Sequence, residues 1–518
     1  MAAGTGRTAR CLKRAASYEV HQDVEAGEAA KRSRSAVGSL SAETDAMAEQ
    51  VKALISVLSN SECATIEKGM RGFGFEGKPL RMGSLCTGSG MGEVALQRLA
   101  ERLGPFVSGT PVEVEVVFSC EYDEAKAQFL MSCEHGHSAP CFKDITDMGA
   151  EYAAVWPRVA GDATQHHAIQ DVDLLVSGWS CKDLSTMSTN AGQEMTEYIM
   201  NMLQKFMDDP AQLEGVELEG STLPTLIGCL KYIDVHRPRG VLMENVQGCE
   251  QLMPLLRQWL MARKYEVFST TQLTPDRFAL PNTRPRVYIA AQHSLPMTEE
   301  KVVECCEGFI ASALQGFAGM ITAPISNYMY QRDHPHLKNL HGKVPDSCAH
   351  ETRSDGDLWQ DKHVEQGLYV STATLDDFWA TLPSEYAKWY FSRRPLREQH
   401  LAFAASKAAM RLGVEVCIDI TQSSDRFNFS SPRCDVVPCF TGGSEMWCGL
   451  SRNPLCGAEA LGIMGLSMPS VGRSLASVSE REDSLFKSVA GNAFSGPCVL
   501  CAFAMMMFAS GSVPANAA

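Results

Sequence analysis

The stretch RMGSLCTGSGMGEVALQRL, Arg81 to Leu99, decides the fold. It reads as a short strand over 82–85, a glycine turn, and then a helix. Gly88 and Gly90 let the backbone turn tightly and pass close to a ligand. No Gly-Lys-Ser/Thr follows, so the turn is not a phosphate loop. Outward from it, short apolar, β-branched runs alternate with helical stretches. The runs are VEVEVVFSC (112–120), VDLLVSG (172–178), RGVLMENV (239–246), YEVFSTTQL (265–273) and RVYIAA (286–291). Between them lie EVALQRLAERL, DEAKAQFLMSC and MPLLRQWLMARK. Strand, helix, strand, repeated, predicts an α/β fold: a Rossmann-like, mainly parallel sheet with helices on both faces. Such sheets bind ligands at the carboxyl ends of their strands.

Composition narrows the function classes. The chain has 518 residues, 45% hydrophobic and 21% charged, which is ordinary globular material. A formal charge of −15 excludes a polybasic nucleic-acid coat, so a nucleic-acid partner needs a locally basic face. The 19 cysteines are irregularly spaced and do not form a disulfide framework. No secretory signal is visible, and a reducing compartment, nucleus or cytosol, is expected. The basic cluster KRSRS, Lys31–Ser35, is a candidate nuclear address. The apolar stretch GPCVLCAFAMMMFAS from Gly496 is too short for a bilayer helix and predicts a buried one, with no membrane partner. Its Cys498 and Cys501 lack a second ligand pair, so no metal site is expected.

Three strand ends carry ligand chemistry. The second strand ends at Glu121-Tyr122, where an acidic side chain can bind a ribose diol. FKDITDM places Asp144 to accept from an adenine amino group and Ile145 to pack on the ring. In DLLVSGWSCKDLS, Asp173 to Ser185, a strand and a turn at Gly178 present Cys181 to the cleft. Attack by a cysteine requires the thiolate. RGVLMENV supplies Glu244 as an acid or hydrogen-bond partner. Arg284 and Arg286, two apart on an extended strand, share a face.

In this order, the residues resemble the cytosine-C5 DNA methyltransferase family, over about 80–292 and again over about 450–505. SLCTGSGMG resembles the glycine-rich first motif, with Cys86, Gly88 and Gly90. Glu121, Tyr122, Asp144, Ile145, Gly178 and Asn492 match the remaining cofactor positions. Ser180-Cys181 resembles the Pro-Cys nucleophile motif, and Glu244-Asn245-Val246 is intact. Asn282-x-Arg284-x-Arg286 resembles Gln-x-Arg-x-Arg, and Gly491-Asn492-Ala493 resembles Gly-Asn-Ser. SRNPLCGAEALGIMGLSMP resembles the segment that braces a recognition domain, with Arg452 as its arginine.

The resemblance implies a methyltransferase fold that uses S-adenosyl-L-methionine. The reaction implied is DNA (cytosine-5)-methylation of a flipped-out cytosine through a covalent cysteine adduct. Cys181 is then the nucleophile, and Glu244 bonds ring N3. Arg286 holds O2, and Arg284 braces the loop. Double-stranded DNA is the expected partner, of a monomer in the nucleus or, alternatively, the cytoplasm.

The expected organisation is a mobile tail over 1–50, a catalytic domain over 51–292, a smaller target-recognition domain over 293–445, and a return to the catalytic domain over 446–518. Tyr386–Arg411 holds six cations against Glu398 and is the candidate phosphate-contacting face. Two alternatives stand beside the DNA reading. One is a catalytically weak nucleic-acid-binding homologue. The other is an RNA enzyme, since a related branch acts on tRNA. That branch carries a Cys-Phe-Thr tripeptide, and the preference for DNA rests on its being missing here.

Overall fold

Leu174, Leu175 and Val176 are fully buried, yet they face two different cores: Leu174 and Val176 point one way and Leu175 the other. That is the two-residue period of a strand covered on both faces. Each such side chain contributes about 1.5–3 kcal/mol on burial. The same split recurs at Leu242 against Val241 and Met243, and at Tyr288 and Ala290 against Val287 and Ile289. These strands are the centre of a doubly covered sheet, as the repeated pattern predicts.

The structure is a computed structural model. It describes residues 44–73, 78–86, 88–134, 139–159, 162–185, 192–350, 358–474 and 478–513. The tail and KRSRS lie outside these, except that helix Ala46–Val57 begins inside the expected tail, with Ala46, Met47 and Ala48 buried. Asp45 caps that helix by accepting from the Ala48 N–H at 3.0 Å.

Among the described residues the sheet has nine strands: β1 (Leu80–Leu85), β2 (Val114–Cys120), β3 (Cys141–Phe142), β4 (Tyr152–Val155), β5 (Gln165–Ala168), β6 (Leu174–Ser177), β7 (Gly240–Val246), β8 (Tyr265–Thr270) and β9 (Arg286–His293). Their order is β5-β4-β3-β2-β1-β6-β7-β9-β8. The parallel part is the central β3-β2-β1-β6-β7. Antiparallel pairs flank it, and β9 runs against both β7 and β8. The alternating pattern gives the strands but not this reversal. Its consequence is direct: the start of β9 lies beside the carboxyl end of β7, with Arg286 paired to Val246 and Tyr288 to Glu244.

Helices Gln193–Asp208, Thr222–His236 and Met253–Ala262 cover one face. Ala46–Val57, Asn60–Phe73, Met91–Val107, Glu299–Phe317 and Gly496–Gly511 cover the other. The last is buried, as its composition predicts. It crosses Asn60–Phe73 so closely that a methyl at Gly69 would lie 1.8 Å from the Met507 carbonyl oxygen. Among the described residues no single helix is long and apolar enough to cross a membrane. No described cysteine is in a disulfide.

Helix Glu299–Phe317 belongs to the main core through Val302, Phe309 and Ile310, although it lies past the expected boundary at 293. A separate apolar cluster runs from Cys348 to Trp447. A three-stranded antiparallel sheet among the described residues, β10 (Cys417–Asp419), β11 (Met446–Cys448) and β12 (Asn453–Pro454), gives Ile418 and Trp447 to this cluster and Cys417, Met446 and Cys448 to the main core. The sheet continues past the expected boundary at 445. Arg452 bonds the Thr381 hydroxyl at 3.2 Å, at the end of helix Thr372–Ala380 in this second region.

Candidate active site

The glycine turn forms as its sequence predicts. Gly88 and Gly90 have φ of 58° and 71°, where a Cβ would be strained, and Gly90 starts helix Met91–Val107. Cys86, with φ of 53°, takes the left-handed region without that licence. Glu121 closes the turn: it accepts from the Gly88 N–H at 3.0 Å and from the Asp123 N–H at 3.0 Å. Burial raises the Glu121 pKa, while those two donors and Lys126 pull it back. Tyr122, beside it, is 80% exposed and free to cover a ligand. Asp144 accepts from the Thr146 N–H at 2.8 Å and caps a short 3-10 turn. Ile145 differs from expectation: it is buried against Gly228, where an added methyl would lie 2.4 Å from its carbonyl oxygen. It is core rather than cleft wall.

Gly178 is required by a neighbour, since a methyl there would lie 2.6 Å from the Phe494 ring. A methyl at Gly88 would lie 3.5 Å from Asn492 Cβ. So 491–494 closes over the turns after β1 and β6, which puts Asn492 beside Gly88.

Cys181 follows β6 on a loop whose partners replace the rigidity a proline would give. The Ser180 hydroxyl meets that of Ser221 at 2.7 Å, and the Ser180 N–H donates to Thr225 Oγ1 at 3.0 Å. The buried Asp183 accepts from the Ser221 and Thr222 N–H groups, both at 2.8 Å, at the start of helix Thr222–His236. Asn245 donates to the Trp179 carbonyl at 2.9 Å and ties the end of β7 to the same loop.

Glu244, 8% exposed, pairs with Arg286: Oε1 to Nε is 3.0 Å. Burial raises the Cys181 pKa, Arg286 lowers it, Glu244 raises it and Arg284 lowers it. The four predicted catalytic residues therefore share one electrostatic neighbourhood at the carboxyl edge of the sheet. Arg284 points into the protein. It donates to the Phe440 and Gly491 carbonyls, both at 3.2 Å, and joins two loops.

The pattern missed Cys439. Its sulfur lies 3.6 Å from Arg284 Nη1 and 3.7 Å from Arg286 Nη2. Burial opposes its ionisation, but Arg284 and Arg286 outweigh burial and hold the thiol below its usual pKa. Val437 brings it there by bridging to Asn282: the Val437 N–H donates to the Pro281 carbonyl at 2.7 Å, and the Thr283 N–H donates to the Val437 carbonyl at 3.1 Å. No spacing rule reaches across so much chain. A tripeptide could have pointed to it. Cys439-Phe440-Thr441 is the Cys-Phe-Thr sequence taken as missing, and that ground for preferring DNA over RNA fails.

The candidate phosphate face also changes. Arg393 pairs with Glu480 at 3.0 Å, and Arg394 pairs with Glu445 at 3.2 Å. Arg397 and Arg411 donate to backbone carbonyls. Two of the six cations are thus paired with carboxylates from later in the chain, and two more are spent on backbone carbonyls. His336, Cys456 and Asp483 bring ligand-type atoms within 4.8 Å of one another. Cys456 and Asp483 are already used at the start of helix Gly457–Met464.

The DNA (cytosine-5-)-methyltransferase DMT5 of Cryptococcus neoformans var. grubii is 25% identical to this chain over 443 residues. The match covers 81% of this chain but 16% of that protein's length. The family resemblance holds. Among solved structures, Dnmt2 methyltransferase of S. pombe aligns at a TM-score of 0.43 with 14% identity, covering 82% of this chain and 98% of its own. The Entamoeba histolytica methyltransferase EhMeth aligns at 0.39 with 10% identity, covering 83% and 98%. Such distant likenesses carry nothing about chemistry. No protein-family model matches the chain.

Proposed function

We propose that this chain is a catalytic unit that methylates C5 of cytosine in DNA, with Cys181 as the covalent nucleophile. The observation that carries the reading is the Glu244–Arg286 pair, 3.0 Å apart, at the strand edge that bears Cys181.

Cytosine C5 is a poor nucleophile. Addition of the Cys181 sulfur at C6 makes it enamine-like. Glu244 bonds N3 and Arg286 holds O2, so charge that develops on the ring meets groups already in place. Cys181 must first lose its proton. Burial opposes this, and the two arginines lower the cost. After transfer, loss of the C5 proton expels Cys181. The residues fit S-adenosyl-L-methionine: Gly88 keeps clear the space beside Asn492 that a side chain would narrow. Gly88, Gly90, Glu121, Tyr122 and Asp144 would hold the cofactor, which supplies the methyl group. The target base must leave the duplex, at a cost of a few kcal/mol.

A second reading changes the substrate to RNA. Cys439-Phe440-Thr441 favours it, because the tripeptide stands in the site itself. One experiment separates the two. Duplex DNA and a structured RNA, each carrying 5-fluorocytosine, are incubated with the protein and S-adenosyl-L-methionine. An adduct on DNA that requires the cofactor and vanishes in Cys181→Ala supports the first reading. An adduct on RNA alone supports the second, and no adduct on either ends both.

A further inference from the structure

Arg284 is 4% exposed, and among the described residues it forms no ion pair with a carboxylate. Its acceptors are two carbonyls and the Cys439 sulfur. A guanidinium this buried needs a counter-charge. Arg286, close by, already has Glu244. One carboxylate thus stands against two largely buried cations, and the charge is balanced if the sulfur between them is an anion. Both guanidiniums donate to that sulfur, at 3.6 and 3.7 Å, which is how a thiolate is stabilised. Cys439 is half-buried, so small reagents can reach it.

We propose that Cys439 is the counter-ion of this arginine pair and, as the accessible thiolate of the site, the position where a hydroperoxide oxidises the protein. The sulfur attacks one oxygen of hydrogen peroxide and the O–O bond breaks. Sulfur gives up two electrons and gains that oxygen as a sulfenic acid. The other oxygen leaves as hydroxide and takes a proton from water. The product is neutral. It removes the counter-charge from Arg284 and slackens the link between 437–441 and Gly491. Cys181 has the opposite bias: burial raises its pKa and Glu244 adds to that, and together they outweigh the lowering by Arg286 and Arg284. None of this depends on which nucleic acid the site accepts, or on methyl transfer.

The test treats the full chain with limiting hydrogen peroxide at neutral pH and traps sulfenic acid with a cyclic 1,3-diketone. Mass spectrometry of peptides gives the rate at each cysteine. Cys305 and Cys434, also half-buried, are the internal standards. Cys439 should be trapped about tenfold faster than either standard, and ahead of Cys181. A rate no higher than that of Cys305, or prior trapping of Cys181, overturns the proposal without involving methylation. In Arg284→Gln the Cys439 rate should fall about tenfold while Cys305 stays unchanged. An unchanged Cys439 rate in folded Arg284→Gln also overturns it. If that variant does not fold, the wild-type comparison still decides.

Discussion

The carboxyl edge of the sheet and the second region, Cys348 to Trp447, handle polar side chains in opposite ways. At the sheet edge, β1, β2, β3, β6 and β7 all end on the same side of the sheet, and Arg286 opens β9 beside them. In the second region polar groups turn inward. Arg394 meets Glu445, and His350 meets Gln399 at 2.8 Å and Asp376 at 3.1 Å. His363 and His400 are buried, with ring centres 5.7 Å apart. Strand ends offer side chains to ligands because the parallel sheet stops there. Cations in the second region such as Arg394 and Arg397 meet carboxylates and carbonyls of the same fold, while among the described residues the buried His363 Nδ1 is left without a hydrogen-bond partner. A cation in its sequence is therefore weak evidence for a phosphate contact.

Three substitutions or conditions would break or sharpen this contrast. The largest effect is expected at the sheet edge. Arg284→Ala leaves the Phe440 and Gly491 carbonyls without their charged donor and should cost about 2–3 kcal/mol in a urea titration. A loss below about 0.5 kcal/mol would mean that the two loops are held by something else.

An intermediate effect is expected from pH, and it should have opposite signs in different parts of the molecule. Burial, then neighbouring charge, holds His363 down to about 4, and burial likewise holds His400 down to about 4, both from 6.5. Between 6.5 and 4 the unfolded chain binds more protons than the folded one, so this region loses stability as pH falls through that window. Glu459 has the reverse bias. Burial pushes it up to about 7, so the folded chain holds the extra proton and helix Gly457–Met464 gains stability as pH falls from 7 towards 4.5. Amide hydrogen exchange at pH 5 and 7, corrected for intrinsic rates, should show faster exchange in Leu396–Leu412 and slower exchange in Gly457–Met464. Parallel changes in both helices would remove the distinction.

The smallest effect is expected at Arg393. Its partner Glu480 is exposed, so Arg393→Ala should cost under about 1 kcal/mol. It should also leave the salt-dependence slope of duplex binding unchanged, where loss of one phosphate contact would lower it by about 1. Such a loss of slope would restore the phosphate face.

Much of the site was legible because its residues are placed by local backbone. Gly88 and Gly90 are read from a strand-to-helix turn, Glu121 and Cys181 from strand ends, and Glu244 from an intact tripeptide. Ile145 was misread because the same strand-end position also faces helix Thr222–His236, and Gly228 leaves room for it there. The net charge of the basic run was not legible, because Glu445 and Glu480, which neutralise part of it, come from later in the chain. Cys439 was missed although its tripeptide stands in plain view, because its tripeptide does not say which groups the sulfur will meet.

By itself the sequence determined the alternation of strand and helix, the glycine turn and the order of reactive groups. Each follows from side-chain period and backbone freedom within a few residues. Only the tertiary structure decided that β9 runs antiparallel beside β7, which sets Arg286 against Glu244. Only it decided that Val437 bridges to Asn282, which sets Cys439 against both arginines. Strand polarity and loop return depend on how the whole chain satisfies its backbone hydrogen bonds, and no short window of residues contains that information.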